Sequence, residues 1–463
     1  MRRAEWKFGW RGALLSCAFL VSLMLPCGAV AQSKSLTAGE RAGVKATADT
    51  KRFDDLRAEG FESLYNLDYD GARRRFKELA RLYPEHPAGP QFLAATLWLQ
   101  TLNESRRLQA SLYNTEAFYA KSEEKVDPKV VAEFRELTKQ AKRLAEARLR
   151  TNPKDVEALY FLGATEGLKA AFAGAVERSF VSALRNGSDS VDHHRDVIKL
   201  DPDYHDAEIT IGMYDYVAST LPLPLKLAAA VTGIRGSKKK GLATLQRVTS
   251  EGKWARDDAK VLLIALLKRE RRFADSLTYA RELAAKYPRN YLFKMEVADA
   301  LVSQASIDRA TNPSAATAAE REAFQIFDEL LQPERAPQTS GRRSAAAASS
   351  SRPADQIYFS YGQALYVAGQ YERAAKEYLS GASVAGAEPG LATFARLRAA
   401  QSLDLAGKRR DALTHYAAVL TRPNVYNSHE EAKRGMREPY KKGGMSDAGS
   451  VNAGETSKTE NEN

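Results

Sequence analysis

The residues best suited to chemistry in this chain of 463 residues lie between positions 192 and 208. Asp192, His193 and His194 are followed by Asp201, Asp203, His205, Asp206 and Glu208, and imidazole with carboxylate is a ligand set that suits zinc and similar ions. The spacing argues against a metal site, because no histidine pair stands at i,i+4 on one helix. The same residues read as a polar helix end, a turn at Pro202 and an acidic cap, Asp203 or Asp206, for the helix that follows. Elsewhere there is no Gly-x-Gly-x-x-Gly, no phosphate-binding loop, no His-Glu-x-x-His and no Gly-x-Ser-x-Gly. The sequence therefore implies no catalytic set, no metal, no cofactor and no enzyme.

Charge is the next candidate for function. The formal net charge is +11, with 69 basic and 58 acidic residues. Two short basic runs, Arg73 to Arg75 and Lys238 to Lys240, are open to contact with phosphates. Most basic residues are interleaved with acidic ones at helical spacing, which reads as a solvated helix face with i,i+4 pairs. A nucleic-acid partner is not expected.

The N-terminus reads as an address. Arg2, Arg3, Lys7 and Arg11 precede an apolar run from Ala13 to Leu25, and Ala29-Val30-Ala31 supplies the small residues of a cleavage site before Gln32. Residues 1–31 are thus a secretory signal, and the chain is expected to be exported, periplasmic or secreted. The apolar run is shorter than the about 20 residues of a membrane-spanning helix. Both cysteines, Cys17 and Cys27, lie in this segment. The processed chain would carry no disulfide and no thiol nucleophile.

The elements beyond the address are helical. From about residue 54 apolar residues recur at i, i+3, i+4 and i+7, broken at Gly, Pro and Asn, with almost no β-type alternation. The fold class expected is all-α. In residues 358–378, Tyr358, Tyr361-Gly362, Leu365, Gly369, Tyr371, Ala374 and Tyr378 hold fixed places. Ala400, Leu403, Gly407, Ala412 and Tyr416 repeat the pattern 38 residues on. This pair resembles the tetratricopeptide repeat, which implies a solenoid of antiparallel helix pairs. Glycine inside a helix costs roughly 1 kcal/mol against alanine, so Gly362 is expected to sit at a close helix contact with Ala374. Weaker copies include Gly71-Ala72 with Phe76, Leu159 with Leu162-Gly163, Ile211-Gly212, and residues 273–287. Prolines 84, 153, 202 and 288 are each expected to follow a helix end. Residues 290–331 read as one more, degenerate, pair.

The organisation expected is a signal at 1–31, a linker at 32–53, and degenerate repeats at 54–333 with an insertion at 219–236. A low-complexity linker at 334–353, two clear repeats at 354–423 and a mostly disordered tail at 424–463 complete it. Around the insertion, Gly212, Ser219-Thr-Leu-Pro-Leu-Pro, Gly233-Ile-Arg-Gly236, Lys240-Gly241-Leu242 and Leu245 resemble the tetratricopeptide-repeat protein 39 family of eukaryotes. Leu223 between the two prolines and Ile234 in place of an aromatic depart from it. That resemblance implies helical-repeat architecture, with membrane or lipid-body association in some members.

In tetratricopeptide repeats the first helix of each pair lines a groove. Carried onto the two clear units, the groove positions are Gln356, Phe359, Gln363 and Tyr366, then Phe394, Leu397, Gln401 and Asp404. The clamp that grips two carboxylates in chaperone-binding members needs Lys and Asn where this chain has Phe359 and Gln363. An aromatic and amide-lined groove suits an extended or helical protein segment instead. Phe359 and Phe394 are equally readable as core. The expected role is an exported scaffold for protein–protein interaction in envelope assembly or export. The alternative is a peripheral membrane or lipid-associated protein that uses the apolar insertion.

Overall fold

A computed structural model describes residues 38–108, 126–220, 236–335 and 352–442. The signal segment, most of the insertion, the 336–351 stretch and residues beyond 442 lie outside the described residues. Among those described there are seventeen α-helices and no strand. They run α1 (Ala38–Tyr65), α2 (Tyr69–Leu82), α3 (Ala88–Glu104), α4 (Pro128–Thr151), α5 (Val156–Ala175), α6 (Phe180–Leu200), α7 (Glu208–Ser219), α8 (Lys238–Glu251), α9 (Arg256–Arg269) and α10 (Phe273–Lys286). Then come α11 (Tyr291–Asp308), α12 (Pro313–Arg335), α13 (Ala354–Val367), α14 (Tyr371–Ala382), α15 (Pro389–Leu405), α16 (Arg409–Leu420) and α17 (Ser428–Arg437). Helices α1 to α10 pack each on the next, as do α12 to α17, in the antiparallel-pair manner of a tetratricopeptide-type fold. Helix α1 begins at Ala38, well ahead of the periodic signal at residue 54, and α17 occupies part of the stretch read as a tail.

The helix ends follow from residue type. Helices α2, α4, α6 and α10 stop at Tyr83, Asn152, Asp201 and Tyr287, each immediately before a proline. All four hold ψ between 66° and 96°, because a proline ring excludes the α region for the residue before it. Within pairs the turn is different. Leu67, Arg106, Arg178, Arg271, Gly369 and Gly407 all have φ between 56° and 79° and sit between a first and a second helix. The following amide closes the turn: Gln370 N–H donates to Leu365 O, Arg272 to Leu267 O and Asp68 to Ser63 O. This left-handed cap satisfies carbonyls that the helix leaves open.

The chain divides into two compact units, and the division falls within α11. The unit formed by residues before 301 returns upon itself. Tyr65, at the end of α1, donates to Asp258 on α9 and stacks on Tyr287 at 4.8 Å. Asn290 donates to the Tyr65 carbonyl at 2.7 Å. Arg57, fully buried, lays its guanidinium 3.8 Å from the Trp254 ring centroid and pairs with Asp54 at 3.3 Å. Asp206 does not cap the helix that follows it. Its Oδ1 accepts from the backbone N–H of Lys253, Trp254 and Ala255 at 2.8–3.1 Å, so it holds the turn that leads into α9. Asp203 has a local role only, its amide bonding Asp201.

The glycines mark close approaches. A Cβ on Gly212 would meet the Gly241 carbonyl at 3.1 Å, and one on Gly241 would meet the Gly212 carbonyl at 2.6 Å. Helices α7 and α8 therefore touch backbone to backbone. Gly362 is also at a close contact, but its nearest neighbour is not the expected Ala374. A Cβ there would lie 2.7–2.8 Å from the Tyr378 ring, one helical turn further along α14. The ring, being larger than a methyl group, reaches the notch first.

Candidate protein-binding face

The two clear repeats place the eight groove residues on neighbouring first helices, α13 and α15. They divide into two groups. Gln356, Phe359, Leu397, Tyr366 and Gln401 are buried, and Phe394, Gln363 and Asp404 are partly so, so the groups differ in polarity and not in burial. Phe359 packs on Tyr378 (5.3 Å) and on Phe394 (5.8 Å), which in turn meets Tyr426 edge-on at 5.5 Å. These residues cement one pair to the next.

Gln363, Tyr366, Gln401 and Asp404 form the second group, a polar line along the two helices. Arg398 organises it. Its guanidinium donates to Gln401 Oε1 at 3.0 Å and to Gln363 Oε1 at 3.2 Å, and lies 4.4 Å from the Tyr366 ring centroid. Gln363 also accepts from the Tyr378 hydroxyl at 2.9 Å. The tyrosines around Arg398 hold it charged despite a loss of solvation. Asp404 has a fully covered side chain, which accepts from Arg409 at 3.0 Å and from the Tyr416 hydroxyl at 2.9 Å. Burial beside Asp404 raises the Tyr416 phenol well above its ordinary value, so it stays a donor.

An extended piece of chain already crosses this line. Helix α17 ends at Arg437, and Glu438 is extended (φ −141°, ψ 147°) as the residue before Pro439 must be. Tyr440 then donates its backbone N–H to Asp404 Oδ2 at 2.8 Å, and its hydroxyl stands 3.3 Å from that of Tyr366. Lys442 places its ammonium 5.5 Å from the Tyr366 ring centroid and 5.8 Å from that of Tyr371, within cation–π range. Arg398 and Tyr440 went unnoticed in the sequence. Arg398 lies between two groove positions of the repeat, and Tyr440 lies after the last repeat, where no periodicity points to it.

The other sequence candidates are placed apart. His194 is buried in α6, its Nε2 3.1 Å from the Tyr160 carbonyl and its Nδ1 against the Thr210 hydroxyl. His193 is half-buried, and His205 sits between Glu208 (3.5 Å) and Glu251 (3.4 Å). Among the described residues no group of three His, Cys, Asp or Glu side chains is arranged to hold a metal ion. Four of the six residues in the basic runs are paired with acids: Lys238 with Glu270 (2.9 Å), Lys240 with Asp215 (3.4 Å), Arg73 with Asp70 (3.2 Å) and Arg75 with Glu59 (2.8 Å). Residues 221–235, the bulk of the insertion, lie outside the described residues. No described helix is long and apolar enough to cross a membrane.

No family model and no curated protein matches the chain. Among solved structures it is similar to a human IFIT1 dimer with PPP-AAAA, at TM-score 0.41 and 11% identity over 82% of this chain and 80% of that one. A human IFIT1 dimer with m7Gppp-AAAA gives 0.41 and 11% over 81% and 79%. Yeast Tom70 gives 0.34 and 10% over 86% and 92%. A likeness at this level concerns the stacking of helices, and the ligands in those names are not carried over to this chain.

Proposed function

We propose that the chain is a non-enzymatic scaffold that holds a segment of another protein on the α13/α15 face. The observation that carries this reading is that the face binds extended backbone in the structure itself, through the Tyr440 N–H to Asp404 bond at 2.8 Å. Tetratricopeptide-type pairs support it, since stacked first helices present side chains at a fixed pitch to a bound segment. The signal-like residues 1–31 add that the scaffold works outside the cytoplasm, periplasmic or secreted, in envelope assembly or export. The finer likeness to the tetratricopeptide-repeat protein 39 family is supported by the use its glycines find, Gly212 and Gly241 at a backbone contact. The membrane alternative rests on the 219–236 insertion, and no described residue favours it.

Selection from a random peptide library displayed on phage tests the reading. Peptides enriched on the full chain should lose binding to Arg398→Ala, which removes the guanidinium tying Gln363 to Gln401. Truncating a charged, hydrogen-bonded anchor at an interface costs about 2 kcal/mol or more, roughly 30-fold. Enriched peptides that bind Arg398→Ala unchanged would remove the reading from this face.

A further inference from the structure

The crossing segment has a chemistry of its own, and the residues it meets are complementary to it. Pro439 keeps the chain extended, Tyr440 brings one backbone donor and one phenol, and Lys442 brings a cation to two rings. The face answers with a buried carboxylate, Asp404, a phenol, Tyr366, and the paired rings of Tyr366 and Tyr371, which stand 5.6 Å apart. Arg409 serves both sides of the contact, gripping Asp404 and donating to the Met436 carbonyl at 3.0 Å. The segment itself is lightly held, since residues 438, 439, 441 and 442 are exposed and Tyr440 is only partly covered. A stretch built as core would be buried; this one lies on the face as a ligand lies.

We propose that residues 438–442 are a strap bound in cis on the α13/α15 face, and that the partner is an extended protein segment with a tyrosine followed two residues on by a lysine or arginine. This rests on the reading that the face binds a protein segment, and it adds what is recognised and what must leave first. The strap follows α17 directly, so its tether is three residues from Arg437 to Tyr440. Short tethers give effective concentrations of about a millimolar. A free peptide at micromolar concentration then competes poorly, and the face is closed until the strap is displaced.

The probe is a labelled peptide of this chain's own residues 436–443, read by fluorescence anisotropy against full-length protein. Tyr440→Ala/Lys442→Ala should bind it at least tenfold more tightly than the parent chain. The same peptide with alanine for tyrosine should bind neither. Lys442→Glu, fully on the surface, should give an intermediate gain of about threefold with an unchanged melting temperature, and it decides the matter if the double variant melts early. Equal affinity for parent and variants, or no binding to any of them, would overturn the strap. Its failure is distinguishable from that of the scaffold reading. Library peptides that bind the face of parent and double variant alike would sink the strap and leave the scaffold. Own-sequence binding with no library peptide enriched even on the opened Tyr440→Ala/Lys442→Ala chain would do the reverse.

Discussion

One buried ring, His194, should make the unit before residue 301 lose stability on acidification relative to a variant without it. His194 is 1% exposed, stacks on Tyr160 at 5.2 Å, and fills the notch left by Gly163, where a Cβ would lie 2.4 Å from its Cδ2. The Tyr160 carbonyl accepts from Nε2–H, which leaves Nδ1 as acceptor for the Thr210 hydroxyl and the ring neutral. Burial, reinforced by nearby His193, lowers its pKa from 6.5 to about 4. A base whose folded pKa is depressed takes up its proton first in the unfolded chain, so stability is undiminished above pH 6.5, falls between 6.5 and 4, and levels off below. The gap corresponds to about 3 kcal/mol, of which about 2.5 kcal/mol is lost by pH 4.5. Burial raises the Asp206 and Asp258 carboxyls of the same unit, which works the other way in parent and variant alike, and Glu157 lies outside the window. Its pKa of about 2, where His86 and Arg148 outweigh burial, places its loss of stability below pH 4.5. Urea unfolding followed by the fluorescence of Trp98 and Trp254, both in this unit, measures the effect. His194→Gln should be less stable at pH 7, and the gap between the two proteins should shrink by about 2.5 kcal/mol from pH 6.5 to 4.5. Parallel curves for the two proteins would refute the reasoning.

Two further outcomes concern packing and turns. Gly362→Ala sets a methyl group 2.7 Å from the Tyr378 ring and should cost about 1–3 kcal/mol, as overpacking does. Hydrogen exchange should show that loss in residues 354–442 first, and uniform protection would contradict it. Arg271→Gly, at a φ of 58°, should raise stability by about 0.5–1 kcal/mol, because a left-handed residue with a Cβ is strained. Gly369→Ala should lower it by a similar amount in thermal melts, and a neutral pair would show that the turns carry no strain.

The turns also explain how much was legible. Six within-pair turns share one left-handed cap, but only Gly369 and Gly407 announce it with glycine; Leu67, Arg106, Arg178 and Arg271 adopt the same backbone with side chains that give no signal. The repeat is therefore plain at 355–422 and faint upstream, although the helices are paired there too. Proline was a better guide, marking four helix ends correctly. Gly362 was legible as a close contact, yet its partner was not, because periodicity gives the facing helix and not the length of the side chain that reaches across. Asp206 was expected to cap the next helix, but its carboxylate holds a turn 47 to 49 residues on. At the candidate face the eight first-helix positions carry an apolar cluster at Phe359 and Leu397 and a polar line at Gln363 and Asp404, with Tyr366 and Gln401 as buried as Phe359. What distinguishes Tyr366 and Asp404 from Phe359 is the arrival of Tyr440, a contact between residues 36 and 74 positions apart that no local pattern encodes.

The central claim, that the α13/α15 face holds a protein segment, is tested most directly by hydrogen exchange on the full chain with and without a saturating library-selected peptide. Binding at the face should slow exchange in residues 354–367 and 389–405 and speed it at Tyr440, whose amide would lose Asp404. Protection confined to the second helices, α14 and α16, or to the unit before residue 301, would contradict it.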